Sequence, residues 1–247
     1  MKRWPANYFT CEQHSPEWRE LRRGNITASR IAELKPLVKG DESQKSKDYK
    51  LELLSEILSL RMAEHYVSPA MDWGIQTEPL AREEYELKTG LMVDRIGFVI
   101  HPRLPRCGAS PDGLVGDDGL VEIKCPNTST HLQYLISGVV PDKYKPQMYW
   151  QMACCERQWC DFVSFDPRLD EKFQLFIARL ERDEKDIAKW ESLAMDFVAD
   201  LNSMAGVLQG YEVVRPKSQE DKLRASIKQA GKYDPELVAA FNEDFVP

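Results

Sequence analysis

Residues 108–126 read GASPDGLVGDDGLVEIKCP, and the fold turns on how this stretch pairs with itself. Leu120-Val121-Glu122-Ile123-Lys124 reads as a β-strand. Side chains two apart on a strand share a face, so Glu122 and Lys124 point one way while Val121 and Ile123 point into the core. Asp112 ends the preceding strand, and the turn formers Gly116, Asp117, Asp118 and Gly119 fold the chain back on itself as a hairpin. The hairpin brings a second acid up to an acid–base pair. Two carboxylates beside an ammonium make a candidate Mg²⁺ hydrolytic site.

The residue types suit that chemistry. Mg²⁺ is a hard cation that takes oxygen ligands, often one or two carboxylates together with waters and substrate phosphate oxygens. Asp112 and Glu122 provide such ligands, and Mn²⁺ accepts the same oxygen donors. A cation held there polarises a phosphodiester and stabilises its leaving oxygen. Lys124 is placed to position or help deprotonate an attacking water and to screen developing charge. The same residues also describe an ordinary hairpin with one solvated polar face.

Further blocks lie on either side. Residues 18–29, WRELRRGNITAS, carry the pattern W-x-x-L-R-x-G-x-I-T-A-S. Residues 73–78, WGIQTE, carry W-G-x-x-x-E, and Lys145-Pro146-Gln147-Met148 is followed by Gln151. With Ser110-Pro111-Asp112-Gly113-Leu114 and Glu122-Ile123-Lys124-Cys125-Pro126 between them, these blocks resemble, in order, the lambda-exonuclease-like (YqaJ-type viral recombinase) family of the PD-(D/E)XK nuclease superfamily.

The resemblance implies an α/β, restriction-endonuclease-like core, with a small mixed β-sheet flanked by α-helices. It implies a Mg²⁺-dependent exonuclease that degrades the 5′-terminated strand of linear double-stranded DNA to mononucleotides and leaves 3′ overhangs. Glu78 becomes a third acid of the metal site, and the backbone carbonyl of Ile123 a further ligand. Arg22, Ser29, Ser110 and Gln147 become a pocket for the 5′ phosphate, with Gln151, one helical turn from Gln147, as the alternative amide. A homotrimeric ring around the DNA end and a single-strand annealing partner are implied as well. Two other readings use the same fold: an endonuclease that cuts internally, and a catalytically silent DNA-binding scaffold. Intact Asp112, Glu122 and Lys124 argue against silence.

Composition sets the limits of this reading. The 247 residues carry a formal charge of −7, with 43% hydrophobic and 30% charged residues, which fits one globular α/β domain. The acidic total requires any DNA contact to use a local cationic groove or channel. No apolar run is long enough to span a bilayer, and Met1-Lys2-Arg3-Trp4-Pro5 is not followed by a signal-peptide segment. The expectation is therefore a cytoplasmic protein without a membrane partner. Cys154, Cys155 and Cys160 lie near one another with Cys11 far upstream, but adjacent helical cysteines diverge by about 100°. Buried reduced thiols are expected, and no iron–sulfur cluster.

The remaining elements follow from periodicity and punctuation. Ser15-Pro16 marks a capped helix start, stopped at Gly24, and Thr27 or Ser29 starts the next helix. Residues 39–47 read as a mobile loop, with a helix over 49–66. A second helix spans 73–90, interrupted near its start by Pro79. Strands are expected over 93–101, 106–111, 159–166 and 173–180, and helices over 130–137, 145–155 and 184–208. Trp18, Trp73 and Trp150 read as core anchors. Residues 1–209 form the expected exonuclease domain, and 210–247 a C-terminal extension of unknown role.

Overall fold

A computed structural model of the chain describes residues 4–37, 40–62 and 68–210. The chain divides into two compact units, Met1–Gly206 and Val207–Pro247. Of the extension expected over 210–247, all but its first residue lies outside the described residues.

In chain order the elements are β1 (Tyr8–Phe9), α1 (Pro16–Arg22), β2 (Ile26–Thr27), a 3₁₀ helix (Ala28–Leu34), α2 (Gln44–Ser59), α3 (Pro69–Thr89), β3 (Val93–Asp94), β4 (Phe98–Ile100), β5 (Cys107–Ala109), β6 (Gly113–Val115) and β7 (Gly119–Lys124). They continue with α4 (Thr128–Ser137), α5 (Lys145–Cys155), β8 (Trp159–Phe165), β9 (Leu175–Glu181) and α6 (Glu184–Gln209). The mixed sheet is divided in two. One sheet has the order β1-β4-β5-β2 and the other β3-β6-β7-β8-β9. The chain crosses between them at Ser110-Pro111-Asp112, so Asp112 stands at the seam.

The expected hairpin forms, but its first strand is β6, which starts just past Asp112 and not before it; Gly113 stands opposite Val121 and Val115 opposite Gly119, and β8 pairs parallel to the other edge of β7. This makes β7 the central strand, covered on both faces. Val121 and Ile123 pack with Val163, Phe165, Ala81 and Tyr85 in the smaller core cluster. Leu120, on the opposite face, joins the larger cluster with Leu114, Phe162, Met148 and Trp150. The face carrying Glu122 is thus not solvated, contrary to an ordinary exposed hairpin, and Glu122 is 0% exposed.

Several expectations change. Residues 44–47 are helical rather than looped, because Ser43 accepts the N–H of Ser46 and starts α2 there. That helix ends at Ser59, with Leu60 left-handed at φ 55°, and the expected continuation over 63–66 lies outside the described residues. The single strand expected over 93–101 splits between the two sheets. At the break, a Cβ on Gly97 would lie 2.3 Å from the Cys11 carbonyl oxygen, so the N-terminal segment packs where a side chain would otherwise sit. The helix expected over 73–90 starts earlier, at Pro69, and runs through Pro79 without the expected interruption, and the remaining elements shift by a few residues at their ends. No helix among the described residues is long and apolar enough to cross a membrane.

Candidate active site

Beyond Gly113, β6 stops and leaves one edge of β7 open. Asp112 occupies that edge, and its Oδ2 accepts the Ile123 N–H at 2.7 Å. In an extended strand the N–H and C=O of one residue face the same edge. The Ile123 carbonyl therefore faces the side on which Asp112 lies. On the adjoining face, Glu122 is held by three donors: Lys124 Nζ and Gln147 Nε2 on Oε1, and Gln151 Nε2 on Oε2. The glutamine distances are both 2.6 Å. One helical turn apart, the two glutamines are equivalent in sequence, and the geometry separates them: Gln147 lines the cleft while Gln151 is sealed behind Glu122.

A cleft of about 440 Å³ opens over this strand end, and Glu78, Asp112, Ile123, Lys124, Arg22, Ser29, Ser110 and Gln147 all line it. Every residue of the expected metal site and phosphate pocket except Glu122 is on its wall, and Glu122 lies directly behind. Arg22 reaches Ser110 Oγ through Nη1 at 3.2 Å, while its Nε is buried with no hydrogen-bond partner. Burial pushes the Arg22 guanidinium down to about 10, against the opposing pull of Tyr49 and Glu56. Trp18 stacks under the guanidinium at 4.2 Å and donates Nε1 to Ser110 Oγ at 2.8 Å. Trp18 is thus part of the cleft wall as well as an anchor, whereas Trp150 is wholly in the core. The position of Arg22 is fixed from below, because Gly24, just past α1, donates its N–H to the buried Glu56 at 2.8 Å.

Charge in the cleft is unevenly balanced. Burial, then the Glu122 and Glu78 carboxylates, raise the Asp112 pKa well above the usual aspartate range. Burial also disfavours the Lys124 ammonium, but Glu122 and Asp112 outweigh it and hold its pKa above the ordinary lysine value. Lys124 therefore keeps its proton, which favours charge screening over deprotonation of a water. The acidic turn at 116–119 stands at the far end of the hairpin, roughly 17 Å along β7 from Lys124 at about 3.3 Å per residue. There Arg157 Nη1 donates to the carbonyls of Val115, Gly116 and Gly119.

Among the described residues, no three His, Cys, Asp or Glu side chains are already gathered in ligating geometry. Glu78 is paired with Arg82, and Glu122 is turned to its three donors. The donor chemistry nevertheless fits a hard cation. Three carboxylates and a backbone carbonyl are all oxygen ligands, and the Asp112 pKa, raised by burial first and by the neighbouring carboxylates second, marks a charge that a cation would stabilise.

Two residues without a motif also line the cleft. Gln13 ties the N-terminal segment down through Nε2 to the Ile96 and Pro111 carbonyls at 3.0 and 2.9 Å. His14 adopts φ 68°, a backbone conformation uncommon outside glycine. Arg82, four residues after Glu78, is an i,i+4 partner that helix periodicity could have revealed.

Fold and site together define an α/β core of the PD-(D/E)XK nuclease kind. The chain belongs to the YqaJ-like viral recombinase domain family, whose model matches residues 17–158. It is similar to an alkaline exonuclease (LHK-Exo) from Laribacter hongkongensis, with 40% identity and a TM-score of 0.74, covering 85% of this chain and 100% of that one. The same enzyme in complex with dAMP matches with a TM-score of 0.73. A phage-related exonuclease from Haemophilus somnus 129PT shares the fold at 16% identity, with a TM-score of 0.55 and coverage of 73% of this chain and 96% of that one. No curated protein sequence gives a significant match.

Proposed function

We propose that this chain is a Mg²⁺-dependent 5′→3′ exonuclease that degrades one strand of linear double-stranded DNA to mononucleotides. The observation that carries this reading is the pairing of two features at one cleft: Asp112 and Lys124 on its wall with Glu122 buried directly behind them, and a buried Arg22 whose Nε has no partner. A buried cation with unused donors is an anion site, and a guanidinium binds phosphate through paired N–H groups. Ser29, Ser110 and Gln147 add polar groups around it. Similarity to an alkaline exonuclease, solved also with a deoxynucleoside monophosphate, supports DNA as substrate and a mononucleotide as product.

Glu78, Asp112, Glu122 and the Ile123 carbonyl would hold Mg²⁺, or Mn²⁺ in its place, which when bound supplies Lewis-acid polarisation of the phosphodiester and charge for the leaving oxygen. Arg22 seats the terminal 5′ phosphate and so sets which linkage reaches Asp112. Water attacks that phosphorus, the bond to the 3′ oxygen breaks, and the nucleotide departs with a 3′ hydroxyl. Lys124 screens the charge that builds on the phosphoryl oxygens. The shortened strand carries a new 5′ phosphate, the group that the Arg22 pocket accepts, so each cut regenerates the substrate. A 3′ overhang remains, which suits a single-strand annealing partner. A homotrimeric ring with basic side chains lining its channel would reconcile the net charge of −7 with DNA binding.

The test is digestion of linear duplex carrying a 5′ phosphate on one strand and a separate label on each, with Mg²⁺ and with chelator, beside a covalently closed circle. Metal-dependent loss of the phosphorylated strand alone is expected. Nicking of the circle would replace this reading with an endonuclease.

A further inference from the structure

A second chamber, about 750 Å³ in volume, adjoins the catalytic cleft and shares Gln13, His14, Ile75, Glu78 and Asp112 with it. The two are arranged in sequence along α3. Ala70, Met71 and Gly74 wall the cleft that holds Arg22; Ile75 and Glu78 line both spaces; Pro79 and Arg82 wall only the second. From Met71 to Arg82 is roughly 16 Å at 1.5 Å per residue. The carboxylates thus stand between two spaces, one on each side.

The second chamber has its own cations. Arg82 donates Nη2 to the Glu78 carboxylate and to the Asp112 carbonyl, yet its Nε is buried without a partner. Arg95, in the link between β3 and β4, is exposed on the chamber wall, and among the described residues no carboxylate pairs with it. Glu12 is the one acid on the wall outside the cation site, and it too is exposed. The volume falls in the range that holds a nucleotide-sized ligand.

We infer that this chamber binds the retained part of the cleaved strand, with Arg95 and Arg82 gripping the phosphate one linkage beyond the scissile bond. The inference rests on the exonuclease reading and adds a direction to it. With the 5′ phosphate on Arg22 and the first linkage at Asp112, the strand has to continue past Ile75 and Glu78, and the second chamber lies on that side. A phosphodiester held by a cation on each side of the reacting linkage is fixed in position at both ends, which is how binding energy away from the reacting atoms orients them. Arg82 adds a second effect. Its guanidinium carries both the Glu78 carboxylate and an unused donor, so it links the cation site to the strand.

Arg95 is the residue to test, because it is exposed and its replacement leaves the core and the cation site in place. Release of the first nucleotide from a 5′-phosphorylated duplex is followed as a function of DNA concentration, with Mg²⁺, for the full-length wild type and for Arg95→Ala. Each is given normal DNA and DNA with an uncharged methylphosphonate at the second linkage from the 5′ end. For the wild type the neutral linkage should raise KM by about tenfold, as expected for a lost charged hydrogen bond. Arg95→Ala should raise KM by about three- to tenfold on normal DNA, and the neutral linkage should then add little, because both changes remove one contact. Independent, multiplicative effects of the two changes would overturn the inference, as would an Arg95→Ala enzyme with unaltered KM. Failure of the wild type to release any nucleotide from normal duplex would instead sink the exonuclease reading, and this inference with it.

Discussion

Gln151 donates its Nε2 to Oε2 of Glu122 at 2.6 Å, and neither side chain is accessible to solvent. The amide lies 29 residues downstream on α5, so the orientation of the strand acid depends on a helix packed behind it. Gln151→Leu leaves that carboxylate oxygen buried without its donor. The expected loss is about 1–3 kcal/mol of stability, read from the urea midpoint, together with weaker metal binding by calorimetry. An unchanged midpoint and unchanged metal affinity would show that Lys124 and Gln147 alone hold Glu122.

Asp112 gives a pH signature. Its pKa is raised in the folded chain, so the folded state binds its proton more tightly than the unfolded one does. The associated stability is fully present below the ordinary aspartate value of 3.8 and is lost as pH rises through the folded pKa. In chelator, wild-type stability should therefore fall over this range relative to Asp112→Asn, which keeps an acceptor for the Ile123 N–H. Adding Mg²⁺ should restore the wild type and do nothing for the variant. Parallel stability curves for the two proteins in chelator would refute the assignment.

Arg22→Gln should erase discrimination between 5′-phosphate and 5′-hydroxyl ends. Removing a guanidinium–phosphate contact costs about 1.5–3 kcal/mol, roughly a ten- to hundredfold loss in kcat/KM on phosphorylated duplex. Hydroxyl-ended duplex should be cut with little change. Arg22→Lys should recover only part, since an ammonium lacks the planar pair of donors. Equal losses on both ends would place Arg22 elsewhere in the mechanism.

Gly113 follows Asp112 directly, and a Cβ there would meet Val93 Cγ1 at 2.0 Å. Gly113→Ala should cost about 1–3 kcal/mol through overpacking and should reduce cleavage without altering any charge. Val93→Ala in the same chain should recover both quantities by making room. If the double variant is no better than the single one, the clash lies elsewhere.

How much of this was legible follows from where the information sits. The hairpin is local, with alternation in β7 and four turn formers before it, and it forms in register. The cap at Ser15 and the stop near Gly24 are local too. The split of 93–101 is not, because it depends on the Cys11 carbonyl packing against Gly97 from more than eighty residues away. Residues 44–47 look like loop because they are polar, and the cap at Ser43 that makes them helical is a weak signal on its own. At the site, Glu122 and Lys124 follow from spacing on one strand and Asp112 from the turn that folds the chain back, whereas Glu78 on α3 comes only with the family resemblance. The burial of Glu122 and its two amide donors come from α5, and nothing in the strand itself foretells them. Gln13 and His14 reach the cleft through the path of the N-terminal segment, which no short pattern encodes.

The two faces of β7 have a consequence for how this molecule fails. One face carries Glu122 and Lys124, the other Val121 and Ile123, and both are covered. A slip of one residue would put charge into the apolar layer and hydrocarbon against the glutamines. Loosening this strand therefore dismantles the acid–ammonium pair and the apolar layer in one event, so that core and site are lost together.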